Sequence, residues 1–180
     1  KRAWDYAGIA QAERSAAKGV RPAARKELLR LLADNEIEVA QAAIVSLGTI
    51  GEPEDAQALA PFLSNRSSLL REAAAASMAR VGEAALPEIM KALEANSPRV
   101  RAQMAAGLAQ AGEPALLDAF ERALADADSE VRRTAALALA QLPRPLHEAR
   151  KRFKPQIERL SKDDSSPSVR AAAFSTFGSL

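Results

Sequence analysis

The chain is expected to be all-α, a right-handed solenoid of about five antiparallel helix pairs. Three observations predict this: a repeat of about 31 residues, an Ala-rich composition with few aromatics, and a helix stop at the same place in each copy. The repeat is anchored on Val39, Leu70, Val100, Val131 and Val169. From each anchor, small or apolar residues recur four and eight positions on, as Ala43 and Leu47, Ala74 and Met78, Met104 and Leu108, Ala135 and Leu139, and Ala173 and Phe177. That spacing is one face of a helix.

Composition agrees with the period. Apolar residues make up 48% of the chain, yet there are only five Phe, one Trp and one Tyr, so the core must be Ala, Leu, Val and Ile. Alanine has the best helix propensity and no side-chain entropy to lose, and tracts such as Ala73 to Ala76 and Ala171 to Ala173 are strong helix signals.

Each first helix should stop twelve positions after its anchor, at Gly51, Gly82, Gly112 and, in the fourth copy, Pro143. Glycine there suits a left-handed C-cap, and Pro53 and Pro114 are placed to open the next helix in its first turn. The second helices carry Leu59, Phe62 and Leu63, then Leu86, Ile89, Met90 and Leu93, then Leu116, Phe120 and Leu124. Ser67, Ser97, Asp128 and Ser166, three residues before their anchors, are expected N-caps, with Glu36 a weaker one.

One domain over 1–180 is therefore expected, with units near 3–33, 34–64, 65–95, 96–125, 126–162 and a half unit 163–180. The first is degenerate, with helices near 3–17 and 22–33 joined around Gly19 and with Trp4 and Tyr6 as end-packing residues. The fifth carries about seven extra residues, and Pro155 should kink or divide its second helix. The trailing helix lacks a partner, so a continuing solenoid or self-association is expected to cover it. The N-terminus has neither an initiator Met nor a signal-peptide core.

These residues resemble HEAT-like repeats of the short bacterial type also found in phycobilisome lyase subunits. The match is nearest at Asp126-Ala-Asp128-Ser-Glu-Val131-Arg132, and recurs as Leu70-Arg71, Val100-Arg101 and Val169-Arg170, while Val39 is followed by Ala40. The resemblance implies a ladder in which loop residues Asp34, Asn65, Asp126 and Asp164 partner Arg71, Arg101, Arg132 and Arg170, with Ala95 missing from the series. Its members include scaffolds, transport factors and a few enzymes, so it implies a fold more than a role.

The chain offers little for catalysis. Without cysteine it has no thiolate ligand or nucleophile, and its single histidine, His147, stands beside Glu148. One His-Glu pair is too few ligands for a zinc or di-iron site. Neither a nucleophile elbow nor a phosphate-binding glycine loop is present, so no enzyme, cofactor or metal is expected. No run of about eighteen apolar residues is present, and a soluble chain, cytoplasmic by default, is expected.

A non-enzymatic scaffold is therefore expected, holding another protein on a concave face made by the second helices. Exposed positions there are Gln57, Glu88, Lys91, Asp118 and Glu121, with Arg25 and Lys26 in the first unit. The densest charge run, Arg144, His147, Arg150, Lys151, Arg152 and Lys154, is interleaved with Phe153 and falls in the insertion. Its partner is expected to be a protein or peptide, of acidic character, because acidic residues elsewhere interrupt the positive surface that nucleic acid needs. The alternatives are a nucleic-acid binder and a lyase-like or chaperone subunit acting on a protein-bound cofactor.

Overall fold

The computed structural model describes residues 22–50, 52–111, 114–143 and 146–179, and among them there is no strand. The helix expected near 3–17, Trp4, Tyr6, Gly19, the stops at Gly51 and Gly112, and Arg144 lie outside the described residues.

The chain forms helix pairs stacked in two rows. Helices α2 (Ile37–Ile50), α4 (Ser68–Val81), α6 (Pro98–Gly107), α8 (Ser129–Ala140) and α11 (Pro167–Phe177) pack side by side as the first-helix row. The second helices are α1 (22–31), α3 (Pro53–Leu59), α5 (Leu86–Leu93), α7 (Leu117–Leu124) and, in the irregular unit, α9 (His147–Arg150) with α10 (Lys154–Asp163).

Prolines set many of the starts. Pro53, Pro98 and Pro167 are the first residues of α3, α6 and α11, where the missing N–H breaks no helical bond. Pro155 does divide its segment: it occupies the second position of α10, after a single 3₁₀ turn at Lys151–Phe153. The extra residues of this unit thus become α9 and that turn.

Gly82 ends α4 at φ 85° and ψ −148°, a region open in practice to glycine alone, so a stop there demands this residue. The expected serine caps are not made. Ser67, Ser97 and Ser166 occupy the N-cap positions without a side-chain cap bond, and only Asp128 caps as expected, accepting from Glu130 N at 2.8 Å. The loops are instead closed one step earlier. Asp34, Asn65, Asp126 and Asp164 each accept the amide hydrogen two residues on, at 2.8–2.9 Å.

The core runs unbroken between the rows, from Ile44 and Leu47 through Met78, Ile89, Met104 and Phe120 to Phe153 and Ile157. Phe120 and Phe153 meet with ring centroids 6.2 Å apart at 58°, joining the irregular unit to its neighbour. Small residues bring the first helices close together. A Cβ placed on Gly107 would sit 2.5 Å from the backbone carbonyl of Ala75, and one on Gly48 would collide with Ser77. Farther along, Thr176 Oγ1 donates across the row to Ala136 O at 2.8 Å.

Candidate functional site

Two surfaces carry the polar chemistry of the fold: the exposed side of the second helices and the edge formed by the loops between units. On the loop edge, each arginine after an anchor is held by its own loop. Arg71 Nη1 donates to the carbonyls of Asn65 and Arg66, Arg101 Nη1 to those of Ala95 and Asn96, Arg132 Nη1 to those of Asp126 and Ala127, and Arg170 Nη1 to those of Asp164 and Ser165. For Arg101 and Arg132 the rest of the guanidinium faces the following loop.

Two complete rungs result. Arg101 grips Asp126 with Nε and Nη2 at 2.8 and 2.9 Å, and Arg132 grips Asp164 with both at 2.8 Å. Paired, planar forks of this kind are the strong form of the ion pair. The Arg132 guanidinium holds the Asp164 carboxyl below the usual carboxylate range against the opposing effect of burial. At Asp126 burial pushes upward most, but Arg101 and the Asp128 amide together bring it below that range. The resemblance left the pairing direction open, and it runs forward, from each unit to the next loop.

On the second-helix side, Gln57, Lys91, Asp118 and Glu121 are exposed and Glu88 is half-buried. Lys91 lies 3.8 Å from Glu88. The structure brings the charge run of the irregular unit onto this surface: Arg152 Nη2 reaches Asp118 at 2.6 Å and Glu121 at 3.4 Å. Sequence spacing gave no sign of that approach, because the residues are in different units.

Several expected partner-facing cations are engaged internally. Arg25 binds the fully buried Asp55 at 2.7 Å, stapling α1 to α3, while Lys26 is exposed. Lys151 pairs with Glu148 at 2.8 Å, and Lys154 Nζ stands 5.3 Å from the centre of the Phe177 ring. His147 donates from Nε2 to Leu142 O at 3.0 Å. Phe153 is buried against Phe120 rather than displayed as a stacking platform.

Arg150 corrects the expectation most clearly. It is 6% exposed and donates to Ala140 O at 2.9 Å and Ser179 O at 2.7 Å, with a longer contact to Leu139 O. Helix α8 has Pro143 where the other units have a glycine in the sequence, and its last carbonyls take further donors from a side chain. Arg150 supplies those donors from the insertion itself and ties down the end of α11. It is a capping residue and leaves the partner-facing set.

Sequence reasoning also missed an open groove of about 550 Å³ across the first-helix row, with Arg71, Arg99, Gln103, Glu130 and Thr134 in its walls. Another, of about 420 Å³, opens between second-helix ends beside Glu94 and Arg122. Among the described residues no group of three or more His, Cys, Asp or Glu could hold a metal ion, and no helix is long and apolar enough to cross a membrane.

Two rows of paired helices joined by tight turns, with a loop-edge ladder, define an α-solenoid repeat protein. The family of HEAT repeats matches residues 2–79 and 86–178, and the chain belongs to it. Among solved structures, it is similar to the complex of CpcE and CpcF of phycocyanin lyase from Nostoc sp. PCC7120, with TM-score 0.60 and 21% identity over 86% of this chain and 98% of that one. It is also similar to a homology model of the full-length AP-3 complex in an intermediate open conformation, with TM-score 0.62 and 15% identity, covering 87% of this chain and 31% of that one. No curated protein sequence matches. At these identities the likeness concerns the fold.

Proposed function

We propose that the chain is a non-enzymatic scaffold that binds another protein on the face formed by its second helices, which we take as the concave face. The observation that carries this reading is the junction of Arg152 with Asp118 and Glu121. It joins Asp118 and Glu121 of α7 to Arg152 of the irregular unit, on the side where Gln57 and Lys91 are also exposed, as a surface of mixed charge. Mixed charge of this sort suits the polar rim and directed pairing of a protein interface. The resident acidic residues and the pairing of Arg25, Lys151 and Arg152 disfavour a phosphate backbone, which needs many free cations along one stripe.

The exposed cations that favour an acidic partner include Lys26 and Lys154, with Lys91 shared with Glu88 at 3.8 Å. On the same reading, the outer side of α11, where Phe174 is 76% exposed, is where another copy or a further helix pair would pack.

Selection of a displayed peptide library against the chain tests the proposal directly. Winning peptides should protect the amides of α5, α7 and α10 from hydrogen exchange, and lose affinity at least tenfold, about 1.4 kcal/mol, in a Lys91→Glu, Arg152→Glu variant. Protection confined to the first-helix row would contradict it. So would micromolar, salt-sensitive binding of duplex or single-stranded oligonucleotides measured at two salt concentrations.

A further inference from the structure

The geometry points to a carboxylate-binding site on the loop edge at Arg71, where a partner's carboxylate completes a rung that this chain leaves open. The site follows from comparing three arginines in equivalent places. All anchor Nη1 on the two carbonyls five and six residues back. Because the guanidinium is planar, that anchoring turns the Nε–Nη2 edge of each toward the next loop. For Arg101 and Arg132 the edge meets Asp126 and Asp164. For Arg71 the corresponding loop residue is Ala95, which has no side-chain acceptor.

The consequence is visible in Arg71 itself. The residue is 8% exposed, its Nε is buried without a hydrogen-bond partner, and among the described residues no carboxylate forms an ion pair with it. A charged donor held in this way, desolvated and unpaired, retains its full demand for an acceptor.

A second donor has lost the same acceptor. In the other loops the Asx side chain takes the amide hydrogen two residues on, as Asn65 does for Ser67, Asp126 for Asp128 and Asp164 for Ser166. The equivalent donor at this loop is Ser97 N–H, and Ala95 offers it nothing. One carboxylate seated where Asp126 and Asp164 keep theirs would accept from Arg71 Nε and Nη2 and from Ser97 N–H together. Arg71 also lines the open groove of about 550 Å³. A carboxylate is the ligand the fork selects, since the two occupied rungs hold that group in a bidentate grip. Either an Asp or Glu side chain or a C-terminal carboxylate of another protein supplies it. This site is independent of the second-helix surface.

Arginine Nε–H resonances of the whole chain report on it without any need for the natural partner. Sodium acetate, titrated at constant ionic strength, should shift the Arg71 Nε–H signal in a saturable way and leave those of Arg101 and Arg132 in place. Ala95→Asp should abolish the response by filling the site from within. Ala95→Asn, which reproduces the side chain that Asn65 carries in another loop, should weaken it and serves if the Asp variant folds poorly. Two capped-or-free peptide arms separate the sources: a peptide with both ends blocked and one internal Glu, and a peptide with a free C-terminus and no acidic side chain. Saturable binding of either supports the site, and the tighter of the two names the source. An Arg71 signal unmoved by acetate and by both peptides would overturn the inference, as would equal shifts in the native chain and Ala95→Asp, or a response to a phosphodiester oligonucleotide alone.

Discussion

The loop edge is built differently in its two halves. From α6 to α11, Arg101 and Arg132 each close on the aspartate of the following loop, and every strong donor of the fork has an acceptor. Toward α4 and α2 the pattern thins. Arg71 meets Ala95, and Asn65, the loop residue that would accept from the preceding unit, has Ala40 where an arginine would stand. The helices look alike in both halves, so regular packing of small residues suffices for the fold, while the rungs are an added device that sequence drift can leave half-built.

The largest effect should come from breaking a complete rung. Arg132→Ala leaves Asp164, whose side chain is 4% exposed, buried and uncompensated, and should lower unfolding stability by about 3 kcal/mol in urea. The double variant Arg132→Ala, Asp164→Ala should cost less than the sum of its singles. Strict additivity would mean that the rung does not couple the units.

Packing shared by both halves gives the next effect. Gly107→Ala places a methyl 2.5 Å from the Ala75 backbone and should cost about 2 kcal/mol, although alanine is the better helix former. A gain in thermal midpoint would show that α4 and α6 have slack the structure does not suggest.

Acid should separate the halves. Asp126 and Asp164 have carboxyls held below the usual range when folded, so their contribution is fully present above the unfolded-state value of about 4 and is lost as pH falls through the folded values. Hydrogen exchange should therefore rise first around α8 and α11 as pH drops below about 4. Loss confined to α2 and α4 would sink that assignment. The smallest effect belongs to the exposed second-helix surface: Arg152→Ala should change stability by less than about 1 kcal/mol, since both its partners are exposed and screened.

Much of this architecture was legible in the chain. The anchors, the glycine stop at Gly82 and the dividing role of Pro155 follow from period and backbone chemistry, which act locally. The caps were misread because residue type at an N-cap does not fix where the side chain turns: Asp128 accepts from the Glu130 amide, whereas Ser67, Ser97 and Ser166 in the same position make no cap bond. Arg150 was misread for a different reason. Its role depends on carbonyls left open at the far end of α8 and on Ser179, and nothing in a run of basic residues distinguishes the one that turns inward. The pairing of Arg152 with Asp118 and Glu121 was likewise invisible, because it depends on how the inserted 3₁₀ turn at Lys151–Phe153 places Arg152 beside α7. Charge patterns report composition along the chain, whereas site geometry depends on which units become neighbours.

The open rung is where the two halves can be made equal. Equilibrium urea unfolding of Ala95→Asp, in a salt whose anion coordinates weakly, tests directly whether the missing carboxylate is what distinguishes them. The structure predicts a higher midpoint with an unchanged slope, a gain of about 1.5 kcal/mol from charge-assisted bonds to Arg71 and the Ser97 amide. A midpoint equal to or below that of the native chain would contradict it.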